Sequence, residues 1–205
     1  MRAPRRSCDS GARRVFVVIA ALCLVRGGLA AAADPGWGLP QLMESLRQVK
    51  SSTAYFSERK ELRMLNEPLM SSGTLSYVAP DKLQKTTLLP KPERLSIDGG
   101  KLTIERSENN ENRTVALTDF PEIGAFVESI RATLAGDLST LDRYYTIALQ
   151  GDAGDWQMTL EPKEKRLQQL VKSIRIAGRD SSIRSIVSEQ GDGDRSEMSI
   201  VETAK

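Results

Sequence analysis

The sequence predicts an α+β fold: one antiparallel sheet with helices on one of its faces. Three observations carry this. Residues 69–104 read as strands at short spacing with tight turns between them, a meander. Residues 120–141 break that rhythm with helical steps, and strand signals then resume to the last residues. Along the strands the apolar residues keep mostly to alternate positions, as a sheet with one covered face requires.

Each element has its own justification. Residues 39–50 place Leu39, Leu42, Met43, Leu46 and Val49 at steps of three and four, an amphipathic helix. Residues 51–65 are extended. Ala54, Phe56, Leu62 and Met64 share one parity there, with Glu58 and Lys60 interrupting the apolar side. Asn66-Glu67-Pro68 is a turn. In the meander, Leu75 and Tyr77 run into a Pro80-Asp81 turn. A further strand and a connection holding Pro90 and Pro92 follow, and Gly99-Gly100 then separates residues 95–98 from 102–104. Residues 109–112 are a polar turn, and 113–117 a strand with Val115 and Leu117 on one face.

The helical insert carries Ile123, Val127, Ile130, Leu134, Leu138 and Leu141 at steps of three and four. Pro121 suits a first turn, and Gly136-Asp137 offers a point of division. Tyr145, Ile147 and Leu149 form a strand, followed by Gly151-Asp152-Ala153-Gly154-Asp155 and a strand with Trp156, Met158 and Leu160. Residues 162–169 read as a charged connection. Residues 171–177 are a strand, and 183–189 and 195–201 a last hairpin around Gly191-Asp192-Gly193-Asp194.

Residues 1–33 have the order of a secretory signal peptide: arginines, then the apolar run 15–25, then small residues up to Ala33. The run is shorter than the roughly 20 residues a membrane span needs. The expected product is a periplasmic protein beginning near Asp34, a single domain over 34–205. Both cysteines, Cys8 and Cys23, fall in the signal, so residues 34–205 have no disulfide, thiolate ligand or cysteine nucleophile. The chain has no His, the commonest general base near neutral pH. Six of its 29 Lys+Arg and one of its 27 Asp+Glu lie in residues 1–33. Residues 34–205 therefore carry a net charge of −3, which argues against nucleic acid and against tight adsorption to anionic lipid.

No constellation of catalytic or metal-binding residues emerges. Gly191-Asp192-Gly193-Asp194 lacks the spacing and the distal Glu of a calcium loop and reads as a hairpin turn. Glu105, Glu108 and Glu111 lie around a polar turn with no apolar shelter to raise a pKa. No G-x-S-x-G elbow surrounds any serine. No cofactor is expected.

The patterns G-x-L-x-Y-x-x-P-D-x-L from Gly73 and P-x-x-E-x-x-x-x-D-G-x-x-L from Pro90 resemble the LolA-type periplasmic carriers of outer-membrane lipoproteins. The resemblance extends over most of residues 34–205. It implies a strongly bent antiparallel sheet, an open half β-barrel with helices covering its concave face. Acyl chains would lie between them. By position, Ile123, Val127, Ile130 and Leu134 would form the lid. The cavity wall would come from Phe56, Leu62 and Met64, then Leu75 and Tyr77, then Leu102, Ile104, Val115 and Leu117. Ile147, Leu149, Trp156, Met158 and Leu160 would complete it. The implied function is a monomeric, non-enzymatic carrier of an acylated lipoprotein or other lipid. Its partners would be an inner-membrane donor complex and an outer-membrane acceptor, with transient membrane encounters only.

Two departures point to a divergent member. Ala79 stands where the well-studied carriers have an Arg before the Pro, and the sequence stops at Lys205 without the usual C-terminal extension. Two alternatives remain open: a periplasmic lipid-sensing or adaptor module of the same fold, and an enzyme working through carboxylates.

Overall fold

The computed structural model describes residues 36–203 apart from Asn109; the expected signal segment lies outside the described residues. Two antiparallel meanders form one sheet of eleven strands that does not close. The first holds β1 (Ser51–Glu61), β2 (Leu69–Val78), β3 (Lys82–Leu89), β4 (Glu93–Asp98), β5 (Lys101–Arg106) and β6 (Glu111–Ala116). The second holds β7 (Tyr145–Asp152), β8 (Asp155–Pro162), β9 (Val171–Arg179), β10 (Ser182–Gln190) and β11 (Arg195–Glu202). Pairing of β11 with β1 joins them, leaving β6 and β7 as the two edges. This is the α+β antiparallel sheet that the sequence predicts, in the open half-barrel form that the resemblance implies.

Among the described residues four α-helices accompany the sheet: α1 (Leu39–Arg47), α2 (Pro121–Leu134), α3 (Leu138–Tyr144) and α4 (Lys165–Leu170). Pro40 occupies the first turn of α1 and Pro121 that of α2, where a missing N–H costs nothing. A single 3-10 turn, Leu117–Asp119, leads into α2. The corner between α2 and α3 is made by Gly136 at φ +62°, where a Cβ would fall 2.1 Å from the Met43 carbonyl oxygen. Asp137 then caps α3, accepting from the Thr140 N–H at 3.1 Å. Arg47 of α1 donates to the Gly136 carbonyl at 3.0 Å and ties α1 to this corner.

The core lies under α1, α3 and α4. Leu42, Met43 and Leu46 of α1, Leu141 of α3 and Leu167 of α4 bury against Trp156, Met158 and Leu160 of β8 and Ile174 and Ile176 of β9. Trp156 donates its indole N–H to the Asp180 carbonyl at 3.0 Å.

Three boundaries differ from the sequence expectation. Residues 162–169, expected to be a connection, contain most of α4, whose single buried residue, Leu167, is too little for a periodic signal. The first strand ends at Glu61 rather than near Leu65. Past it, Arg63 is held in the loop: its N–H donates to Asp194 Oδ1 at 2.9 Å and its guanidinium to the Asp192 carbonyl at 2.8 Å. Leu117 belongs to the 3-10 turn rather than to β6.

A candidate lipid-binding cavity

Strand parity and register determine which side chains face inward. Ser52 lies opposite Tyr77, Tyr77 opposite Leu83, Leu83 opposite Ile97 and Ile97 opposite Leu102. One row further along, Ala54, Leu75, Lys85 and Leu95 align across β1 to β4. Towards the other meander Glu58, Met198, Ile186 and Ile176 align across β1, β11, β10 and β9. A register shift between Ile183 and Ser185 turns Ile183 to the same face as Ile186 despite its opposite parity.

Ile123, Phe126, Val127, Ile130 and Leu134 of α2, with Leu46 and Val49 from α1 and its C-terminal side, face these rows. Together they bound a cavity of about 490 Å³. That volume falls within the ~300–1,000 Å³ of small-molecule sites.

The expected wall and lid residues are distributed as follows. Leu75, Tyr77 and Leu102 line the cavity from the sheet, and Ile123, Val127, Ile130 and Leu134 from α2. Phe56 is buried under the ammonium of Lys85, which sits 4.8 Å from the ring centroid. Trp156, Met158 and Leu160 are in the core rather than the cavity wall, with Ile147 and Leu149 packed against it. They share the inward face, but α1, α3 and α4 cover that part of the sheet. Ile104 and Val115 stand on the inward rows opposite Leu95 and Leu102 respectively, half-buried and beyond the cavity. Leu62 and Met64 lie past the end of β1, and Met64 is 85% exposed. Leu117 packs beside Gly124 at the start of α2.

The sequence reading missed Leu83, Leu95, Ile97, Ile176, Ile183, Ile186, Met198 and Ile200 as lining residues. Alternation within β3 and β4 was a usable signal for the first three. Alternation marks the inward face for Ile176, Met198 and Ile200 as well, but which part of that face stays uncovered depends on where the helices dock.

The two residues that interrupt the apolar side of β1 belong to an ionic cluster in the cavity wall. Glu58 is 4% exposed. Its Oε2 accepts from Lys85 Nζ at 2.5 Å and Ser71 Oγ at 3.2 Å; its Oε1 accepts from Ser196 Oγ at 2.7 Å and stands 3.5 Å from Lys60 Nζ. Burial pushes the Glu58 carboxyl up, but the Lys85 ammonium and the hydrogen bonds from Lys85 and Ser196 outweigh it, and the net shift is downward.

Tyr77 is also buried, and its hydroxyl finds no hydrogen-bond partner among the described residues. Burial pushes this phenol up, opposed by the nearby Arg131 charge. Arg131 itself pairs with Glu128 on α2.

Outside the cavity, exposed apolar side chains gather at one end of the sheet. Met64 and Leu65 lie in the β1–β2 loop, Leu69 and Met70 at the start of β2, and Leu88 and Leu89 at the end of β3. Pairing of Lys60 with Leu69 and of Ser72 with Leu89 brings these segments to the Glu58 end of the sheet. Among the described residues no three His, Cys, Asp or Glu side chains cluster as metal ligands, and no helix is long and apolar enough to cross a membrane.

The family described as outer membrane lipoprotein carrier protein LolA-like matches residues 28–205. No curated protein matches the chain. Among solved structures, a LolA superfamily protein from Nitrosomonas europaea is 6% identical over 82% of this chain and 92% of its own, with a TM-score of 0.40. A putative outer membrane lipoprotein-sorting protein domain from Vibrio parahaemolyticus is 8% identical over 81% of this chain and 91% of its own, with a TM-score of 0.43. The Pseudomonas aeruginosa MucA/MucB complex matches at 12% identity and a TM-score of 0.42; the match covers 81% of this chain and 56% of that one, so this chain spans little more than half its length.

Proposed function

The chain belongs to the LolA-like family of outer membrane lipoprotein carrier proteins, and from that premise we propose that it is a periplasmic carrier of acyl chains. It shields the chains of a lipoprotein or other lipid and moves the cargo towards the outer membrane. The observation that supports this is the apolar cavity of about 490 Å³ between the inward rows of β1–β5 and α2. Each buried methylene contributes about 0.8 kcal/mol, so a long acyl chain is held without polar recognition. The function is then reversible binding and needs no catalytic group.

In this reading α2 is the lid. Its apolar side faces the cavity through Val127 and Ile130, while Glu128 and Arg131 pair with each other on the same helix. The exposed Leu69, Met70, Leu88 and Leu89 suit brief encounters with an inner-membrane donor and an outer-membrane acceptor. The carrier acts as a monomer after cleavage near Asp34.

The test is saturable binding of a fluorescent fatty acid to mature protein released by osmotic shock, compared with Leu83→Glu and Ile97→Glu. Both positions line the cavity and neither is fully buried, so a carboxylate there is set against acyl chain rather than core. Binding weakens more than tenfold in variants whose circular dichroism is unchanged, because an unpaired charge facing apolar surroundings costs several kcal/mol. Undiminished binding in both folded variants overturns the cavity assignment.

A further inference from the structure

The ionic cluster around Glu58 does more than satisfy itself. Glu58 brings one negative charge, and Lys60 and Lys85 bring two positive ones, so this cluster keeps one uncompensated positive charge, while the balancing carboxylate of the cavity wall, Glu202, stands away from it opposite Ala54. Glu58 has little capacity left for a ligand: Oε1 faces Ser196 and Lys60, and Oε2 faces Ser71 and Lys85. The spare capacity lies on the lysines. Lys85 is oriented by Glu58 and the Phe56 ring and keeps 20% of its side chain exposed. Lys60 reaches Glu58 only at 3.5 Å, longer than an ordinary hydrogen bond, with 42% of its side chain exposed. Ser188 and Gln190 of β10 line the cavity with them.

The placement of this charge is directional. Glu58 is six residues along β1 from Ser52, about 20 Å at the rise of a strand. Over that length the wall becomes apolar towards Leu75, Leu83, Ile97 and the cover of α2. The other carboxylate lining the cavity, Glu202, pairs opposite Ala54 and accepts from Ser182 Oγ at 2.9 Å. Its charge disfavours an anion on that side. The basic end is also the end where Leu69 and Leu89 are exposed.

The geometry points to a headgroup subsite: the cavity takes an amphiphile with an anionic headgroup, a carboxylate or phosphate, seated on Lys60 and Lys85 with its acyl chain running under α2. This inference rests on the acyl-chain reading of the cavity and adds the polarity and direction of the ligand. An anion at this place neutralises the excess charge and meets preorganised donors in a partly desolvated site, where a charge-assisted contact is strong. A neutral headgroup gains neither.

The test titrates the delipidated protein with four monoacyl ligands of equal chain length: a fatty acid, a lysophosphatidic acid, a monoacylglycerol and a lysophosphatidylcholine. Displacement of a neutral fluorescent probe reports binding. Lys60→Gln removes one charge at a half-exposed position, and Lys82→Gln removes the same charge from an exposed pair with Asp98. The expected result is anionic ligands bound about tenfold tighter than the monoacylglycerol by wild type and Lys82→Gln. In Lys60→Gln that preference collapses, the anionic ligands losing more affinity than the monoacylglycerol does. The fatty acid and the lysophosphatidic acid separate a carboxylate-selective from a phosphate-selective site, and preference for either supports the subsite. Equal affinity for neutral and anionic ligands in the wild type overturns the subsite and leaves the acyl cavity standing. An equal loss in Lys60→Gln and Lys82→Gln also overturns the subsite, since only overall charge then matters. Binding of no ligand overturns both readings.

Discussion

Trp156 of β8 and Gly178 of β9 face each other directly across the strand pair, and the indole occupies the space a side chain at 178 would take. A Cβ there would lie 2.4 Å from Trp156 Cζ2 and 2.2 Å from the Ser182 carbonyl oxygen. The glycine lets the largest buried side chain of the protein lie flat against the sheet beneath the helices.

Gly178→Ala therefore forces either the indole or the backbone to move. The expected cost is about 1–3 kcal/mol, the range of overpacked cores. Urea denaturation followed by tryptophan fluorescence measures it; a midpoint equal to wild type would show that the indole shifts freely.

The cap at Asp137 makes stability depend on acid. Hydrogen bonds from the Thr140 hydroxyl, the Ser139 hydroxyl and the Thr140 N–H hold its carboxyl down at about 2, from an ordinary value of 3.8. A carboxyl depressed in the folded state stabilises above its unfolded pKa, and that contribution fades as pH falls from about 4 to about 2. The site is partly solvated, so the effect is discounted to about 1 kcal/mol, the usual value of an N-cap. Asp137→Ala is less stable than wild type at pH 7, and the two converge near pH 2. A constant difference across that range would remove the cap as its cause.

The Tyr77 hydroxyl has no hydrogen-bond partner among the described residues, and burying it is a cost the fold carries. Tyr77→Phe deletes it with the ring retained. The variant gains about 1 kcal/mol, equivalent to a melting temperature about 2–4 °C higher for a domain of this size. A lower melting temperature would reveal a partner for that hydroxyl in solution.

Lys85→Met strips Glu58 of its nearest positive charge while keeping most of the side-chain volume. Burial then dominates the carboxyl and raises its pKa. In the wild type the depressed carboxyl stabilises above the unfolded value and loses that contribution as pH falls. In the variant an ill-paired buried carboxylate costs about 1–3 kcal/mol at neutral pH, and the deficit shrinks on acidification as Glu58 takes up a proton. Thermal melts at pH 7.5 and 4.5 measure this, and a deficit that does not change with pH refutes the pairing.

Much of the architecture was legible because it is written in local period. Alternation marked Leu75, Tyr77, Ile147, Leu149, Trp156 and Met158 as one-faced strands. Steps of three and four marked α2 and α3, and the Gly136-Asp137 pair marked their corner. The short helix α4 escaped because Lys165–Leu170 offers one buried residue, Leu167, and no repeat. The end of β1 escaped because Leu62 and Met64 continue its parity, while the contacts that hold Arg63 out of the strand come from Asp192 and Asp194, far along the chain.

The sequence by itself determined the antiparallel strands, the helices between them and the face on which each strand's apolar residues lie, while the family and the open half-barrel came through the resemblance of its motifs from Gly73 and Pro90. The strands, helices and faces follow from nearest-neighbour geometry: period two in strands, period 3.6 in helices, and turn residues between them. Tertiary structure alone decided which part of that face is core and which is cavity. Met158 and Met198 stand in one continuous row, through Ile176 and Ile186, yet the first is buried beneath helices and the second lines the cavity. The difference lies in where α1, α3 and α4 dock. The role of Glu58 was equally out of reach of the sequence. It reads as a flaw in an apolar stripe until folding brings Ser71, Lys85 and Ser196 to its carboxylate from 13, 27 and 138 residues away. A charge becomes tolerable in an apolar wall only when its partners arrive, and distant partners have no local signature.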